Sequence, residues 1–201
     1  MLTAPPATHS AADEVTDAAV LVESLRQPER FAVIVDRHSD EIHRYVARRL
    51  GVEMAEDLVA ETFLAAFRQR YKYDPERPDA RPWLYGIATI ALHEHRRAEV
   101  RRNRVLARTP AHGAVESFDE RSAARVTAER LQPKLAAVLA KLPAADRDLL
   151  LLIAWAELTY EEAAQALGVP VGTVRSRLHR IRKKVRRAFG GTDPMGEKGL
   201  A

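Results

Sequence analysis

Apolar positions recur at helical spacing along most of the chain, and no alternating strand pattern interrupts them. From Asp17, the side chains of Ala18, Leu21, Val22 and Leu25 share one side of a predicted helix that Pro28 ends. A second helix is predicted from about Pro28 to Leu50, with Phe31, Ile34, Val35, Ile42, Tyr45 and Val46 inward and Gly51 as its stop. A third, about Met54 to Gln69, has a complete inner stripe of Ala55, Leu58, Val59, Thr62, Phe63, Ala66 and Phe67. Its outer face carries Asp57, Glu61 and Leu64, which reads either as a docking surface or as a solvated acidic face with one exposed leucine. Three prolines keep Tyr71 to Pro82 from forming a helix, and its Tyr71 and Tyr73 suit either stacking on unpaired bases or a lid on the core. The helix that follows, Trp83 to about Leu106, is apolar at Leu84, Ile87, Ala88, Ala91 and Leu92. Its other side presents Gly86, Thr89, Ile90, His93, Arg96 and Arg97, a basic surface continued by Arg101, Arg102 and Arg104.

Beyond this point the composition turns small and polar, then helical periodicity resumes with Leu131, Leu135, Val138, Leu139 and Leu142. Pro143 opens a very apolar helix running through Leu149 to Trp155. The expected organisation is therefore a disordered leader over 1–16, a helical domain over 17–107, a flexible linker over 108–122, a second helical domain over 123–189 and a flexible tail over 190–201. The fold class is all-α, in two small helical domains.

The stretch Thr159 to Arg187 is the most structured in its spacing. Thr159 followed by Glu162 fits a capping box, Ala163, Ala166 and Leu167 form an inner face, and Gly168 stands where a left-handed residue ends a helix. Val174, Leu178, Ile181 and Val185 then make a single apolar stripe. At about 100° per residue, Gly172, Ser176, His179 and Lys183 point away from that stripe, with Arg175 and Arg180 on its flanks. Helix, glycine turn and basic helix form the helix-turn-helix pattern, whose second helix enters the DNA major groove by its N-terminal residues. The competing reading is a helical hairpin with a solvated basic side.

Charge adds weight to the first. The net charge is only +4, from 32 basic and 28 acidic residues, yet no acid occurs from Ala163 to Thr192 while eight cations fall within the thirteen positions from Arg175 to Arg187. Such segregation points to a polyanionic partner. The chain has no cysteine, which excludes disulfides and thiolate metal sites. No signal peptide and no run of ~20 apolar residues is present, so a soluble cytoplasmic protein without membrane insertion is expected. His93 and His95 lie about 200° apart on a helix and do not face one ion. No phosphate loop or nucleophile elbow occurs, so neither a cofactor, a small-molecule substrate nor an enzyme is expected; a helical hydrolase would need catalytic groups distant in sequence.

These residues resemble the extracytoplasmic-function sigma factors, the promoter-recognition subunits of bacterial RNA polymerase, in an actinobacterial style. LPAADRDLLLLIAWAELTYEEAAQALGVPVGTVRSRLHRIRKKV is similar to sigma region 4, with VGTVRSRLHR its most specific string. FAVIVDRHSDEIHRYVARRLG, AEDLVAETFLAAFR and RPWLYGIATIALHEHRRAEVRR occur in family order and resemble region 2. The resemblance implies that Asp57, Glu61 and Leu64, with Phe63 and Phe67, contact core polymerase or support that contact. It implies that the loop with Tyr71 and Tyr73 captures a flipped base of the minus-10 element, and that the helix with Trp83, Thr89, Ile90, His93, Arg96 and Arg97 holds the non-template strand. It also implies that Arg175, Ser176 and His179 face minus-35 bases while Thr173, Arg177 and Arg180 face phosphates. Where relatives have Asn in GIATN this chain has Ile90, which lacks the amide's donor and acceptor. Implied partners are core polymerase and promoter DNA, with an anti-sigma factor as a further candidate. The alternative reading is a stand-alone helix-turn-helix regulator that binds duplex operators without polymerase.

Overall fold

The computed structural model describes residues 15–106 and 138–188, and among them every regular element is helical. Helix α1 spans Asp17–Ser24, α2 Ala32–Leu50, α3 Ala55–Gln69 and α4 Arg81–Leu106, with short 3-10 turns at Pro28–Phe31 and Arg70–Lys72. The second group comprises α5 (Ala144–Ala154), α6 (Tyr160–Leu167) and α7 (Val171–Ala188). The expected leader up to residue 14, the 108–122 linker, Leu131, Leu135 and the 190–201 tail lie outside the described residues.

The inner stripes expected of α2 and α3 are the ones buried. Ile34, Ile42, Tyr45 and Val46 of α2 meet Leu58, Phe63 and Ala66 of α3, and Leu84, Ala88 and Leu92 of α4 close the core from below. Phe31 and Phe67 pack edge to face, their centroids 5.3 Å apart. The first helix departs from expectation. Its buried residues are Ala18, Val20, Leu21 and Ser24, whereas Val22 and Leu25 are each 49% exposed, because Asp17 is pulled inward by ionic partners on α2 and rotates the helix about its axis.

In the second group, the stripe Val174, Leu178, Ile181 and Val185 is buried against Leu149, Leu152, Ala163 and Ala164. Each buried Val, Leu or Ile among them contributes roughly 1.5–3 kcal/mol. The guanidinium of Arg147 donates to the carbonyls of Leu139, Ala140 and Leu142, tying the helical residues 138–140 and the turn after them to α5.

The two groups are in contact. Helix α6 crosses α4 so closely that a Cβ built on Gly86 would stand 2.6 Å from the carbonyl oxygen of Ala166. Only glycine permits that approach. Arg81 at the start of α4 donates to the carbonyl of Ala156 at 3.0 Å, and the guanidinium of Arg48 lies over the Trp155 ring at 5.4 Å.

Candidate nucleic-acid interface

Helix α6 starts where its sequence demands. The Thr159 hydroxyl accepts from the backbone N–H of Glu162, and the Glu162 carboxylate accepts from the backbone N–H of Thr159 at 2.7 Å, completing the capping box. Gly168 follows with φ +62°, in the left-handed region, and turns the chain into Pro170 and α7. This turn leaves Arg175, Ser176, His179 and Arg180 exposed on one side of α7, with Thr173 and Arg177 half-buried beside them. The Ser176 hydroxyl donates back to the carbonyl of Thr173, and Arg175 touches Glu161 at 3.3 Å with both side chains 64% exposed. That contact is too solvated to hold Arg175 against a stronger anion. Arg182 donates instead to the Tyr160 hydroxyl, toward the interior. The geometry offers a narrow row of hydrogen-bonding groups flanked by cations, the shape and chemistry of a major-groove reader.

The basic face of α4 is divided. Ile90 is 60% exposed and Arg97, Arg101 and Arg102 are exposed, as expected of the outer side. Gly86 and Thr89, expected on that same side, are buried: α6 covers Gly86, and the Thr89 hydroxyl bonds the Tyr45 hydroxyl at 3.0 Å. His93 is held by Asp148 of α5 at 2.5 Å. Arg96 is half-buried on the same helix. Trp83 is half-buried, with the Tyr73 ring at 5.1 Å, while Tyr73 itself is 8% exposed and donates its hydroxyl to the carbonyl of Arg77. Tyr71 stands out at 65% exposure. Of the two tyrosines, the first is presented to solvent and the second is part of the core.

Asp57, Glu61 and Leu64 form an exposed strip on α3, with Leu64 48% exposed, while Phe63 lies beneath it and Phe67 is half-buried. A groove of about 710 Å³ runs between this strip and α4, lined by Asp57 and Glu61 on one wall and by Arg97, Arg101 and Arg102 on the other. An acidic strip and a basic helix face therefore share one side of the molecule.

Two buried polar clusters are invisible in the sequence. In the first, Asp148 accepts from Arg49 through Oδ1 and pairs with His93 through Oδ2; Arg49 also donates to the Tyr45 hydroxyl at 2.7 Å, which leads on to Thr89. Arg49 is 1% and Asp148 2% exposed. Burial pushes the Asp148 pKa up, but the hydrogen bond from His93 and the charge of Arg49 outweigh it and hold it below the usual carboxylate range. The one signal that could have found this cluster is Asp148 directly before the apolar run LLLLIA, at the end of the charged Asp146, Arg147, Asp148 triplet.

In the second, Asp17 accepts from Arg37 at 2.8 Å, from the backbone N–H of Ala80 at 3.0 Å and from His38 at 2.7 Å, and the other ring nitrogen of His38 meets Glu41. Burial opposes the charge on His38, yet the hydrogen bonds to Asp17 and Glu41 raise its pKa to about 9. Asp17, His38 and Asp79 stand close enough together to suggest a metal site. A protonated His38 between two carboxylates already performs the neutralising role, so the donor set does not fit a metal. The cluster instead anchors residue 80, just before α4, and with it the Tyr71 to Pro82 loop. Among the described residues no helix is long and apolar enough to cross a membrane.

Residues 34–102 match the family model described as Sigma-70 region 2, and residues 133–185 match the one described as Sigma-70, region 4. The chain is 34% identical over 156 residues to the ECF RNA polymerase sigma factor SigE of Mycolicibacterium smegmatis, a match that spans 76% of this chain and 59% of that relative's length. It is 30% identical over 164 residues to the ECF RNA polymerase sigma factor SigW of Bacillus subtilis, spanning 78% of this chain and 87% of the relative. Among solved structures, CnrH in complex with the cytosolic domain of CnrY aligns at a TM-score of 0.59 and 22% identity, over 87% of this chain and 97% of that one, a likeness of fold.

Proposed function

The chain belongs to the sigma-70 family as an extracytoplasmic-function sigma factor of RNA polymerase, and from that premise we propose how its surfaces divide the work of promoter recognition. The domain of residues 17–107 binds core polymerase and the minus-10 element, the domain of 123–189 reads the minus-35 element, and 108–122 joins them. Core polymerase docks on Asp57, Glu61 and Leu64, with Phe63 and Phe67 as the packed support that fixes the strip. Tyr71, Tyr73, Trp83, Thr89, Ile90, His93, Arg96 and Arg97 serve the minus-10 strand. Thr173, Arg177 and Arg180 hold minus-35 phosphates, and Arg175, Ser176 and His179 read its bases.

The observation that carries this reading is the co-occurrence, on one chain, of an exposed acidic strip on α3 and an exposed helix-turn-helix reading face on α7. A stand-alone operator-binding regulator accounts for α7 alone. The mechanism is binding without a covalent step by this chain, so it is not itself an enzyme and works where the polymerase is, in the cytoplasm. Unstacking a base costs a few kcal/mol, which base capture by the first domain and duplex contacts by the second offset together. Ile90 replaces an amide donor and acceptor with a methyl-bearing surface, which shifts the minus-10 preference away from that of relatives with Asn there. A partner of the anti-sigma kind is supported by the solved complex of the sigma factor RpoE with the anti-sigma factor NepR from Bartonella quintana, whose fold this chain shares at a TM-score of 0.56 and 19% identity.

Mapping the transcripts that appear on overproduction tests the proposal. New start sites should share two upstream elements at a fixed spacing. New transcripts with no common upstream pair would refute the two-domain division.

A further inference from the structure

The Tyr71 to Pro82 loop is held at both ends by the two ends of one short helix. At its start, the guanidinium of Arg70 donates through Nε and Nη2 to the carbonyl of Ser24, the last residue of α1, at 3.3 Å each. At its far end, the backbone N–H of Ala80 donates to the carboxylate of Asp17, the first residue of α1, at 3.0 Å. We propose that α1 is a brace that sets the shape of this loop, so that Asp17 and Arg70 are positioning residues for the choice of one base in the minus-10 strand. The inference rests on the reading that the loop captures that base, with the exposed Tyr71 as its contact.

The far end of the loop is gripped twice. His38 stands between two carboxylates, its Nε2 2.7 Å from Asp17 and its Nδ1 2.7 Å from Glu41. Those carboxylates take hold of consecutive residues, Asp17 of the Ala80 N–H and Glu41 of the Arg81 side chain at 2.9 Å. Arg37 donates to the remaining oxygen of Asp17 at 2.8 Å, which leaves both oxygens engaged. Between its pinned ends the chain is tied to itself. Tyr73 is buried against Trp83 and donates its hydroxyl to the carbonyl of Arg77 at 2.6 Å, while Asp74 accepts from the Glu76 N–H and the Arg77 side chain. These contacts shape the turn, and the α1 contacts fix the points from which it starts and to which it returns. An eight-residue helix is about 12 Å long and rigid, so it holds those points at a set separation. A loop ordered in advance loses less conformational freedom when it captures a base, and it rejects a base that does not fit its fixed shape. With either end released the loop adapts to any base, so selectivity is lost before binding.

Holoenzyme reconstituted from core polymerase and the full chain is assayed for abortive initiation on a mapped promoter and on templates with each minus-10 and minus-35 position substituted in turn. Tyr71→Ala identifies the captured position as the one whose substitution penalty it removes. The wild type should show a penalty of about tenfold or more there, and Asp17→Asn and Arg70→Gln should each reduce it to about twofold. The minus-35 penalties, the affinity for core polymerase and the helix content of both variants should not move. A penalty that survives in either folded variant overturns the brace. So does a loss of the same size at every promoter position, which a merely unstable domain would give. Should Asp17→Asn not fold, Arg70→Gln decides on the same panel. If Tyr71→Ala leaves every penalty unchanged while initiation persists, the loop captures no base, and the proposal falls with that reading. If the wild type supports no promoter-specific initiation, the sigma reading itself has failed and the brace with it.

Discussion

Arg49 is buried to 1% exposure, and Tyr45 and Asp148 more than offset the effect of burial, which by itself would lower its pKa. His38 is a comparable case, a buried cation held by the two acids Asp17 and Glu41. Its folded pKa of about 9 exceeds the ordinary 6.5, so the stability it adds is fully present below pH 6.5 and is lost as pH rises through 9. His38→Gln should therefore lower stability by on the order of 2–3 kcal/mol at pH 6, and the gap should narrow toward pH 9; urea unfolding across that range measures it. A gap independent of pH would mean that His38 is neutral in the fold. On the outer face of α7, Arg175 is exposed and its contact with Glu161 is solvated. Arg175→Ala should cost about 1–3 kcal/mol and relax discrimination at one base pair of the minus-35 element, measured on a panel of substituted duplexes. Equal loss on every duplex would make Arg175 a phosphate contact. Residues of this kind on α7 were legible in the sequence because their helix is amphipathic on its own. Asp148, Arg49 and His93 were not, because what they do depends on partners 99 and 55 positions away.

At the level of elements, local chemistry sets the boundaries. The capping box of Thr159 and Glu162 and the left-handed Gly168 define α6 and the turn to α7 before any packing is considered. Thr159→Ala should lower the stability of the second domain by about 1 kcal/mol, read in chemical denaturation. A null effect would show that packing on α4 alone holds α6 in place. The faces of the helices are less local. Val22 and Leu25 follow the α1 periodicity but are exposed, because Asp17 turns that helix toward Arg37 and His38. Gly86 and Thr89 follow the outer face of α4 but are buried, because the neighbouring domain lies on them. Helix α3 behaves as its pattern indicates, with an inner stripe packed and Asp57, Glu61 and Leu64 outside. Glu61→Arg should weaken association with core polymerase about tenfold or more while leaving the circular dichroism unchanged, since a like charge replaces an attractive one at the rim of an interface. Unchanged affinity would move docking to another surface.

For the molecule as a whole, family order along the chain made the two-domain plan readable, whereas the contact between the domains was not. Nothing in a one-dimensional pattern distinguishes an outer face that meets water from one that meets another domain. Gly86 in particular serves helix-to-helix approach, and its meaning appears only with Ala166 beside it. The charge segregation gains a spatial sense in the same way: acids on α3 and cations on α4 line one groove, and the cations of α7 face outward. On the proposed division of surfaces, this chain lends polymerase its promoter preference. The most direct measurement is reconstituted initiation from a mapped promoter with purified core polymerase and this full chain. A run-off transcript of defined length that requires both the protein and the two upstream elements is predicted. Tight binding of the protein alone to duplex operators, with no promoter-specific transcript from core polymerase on any genomic template, would contradict it.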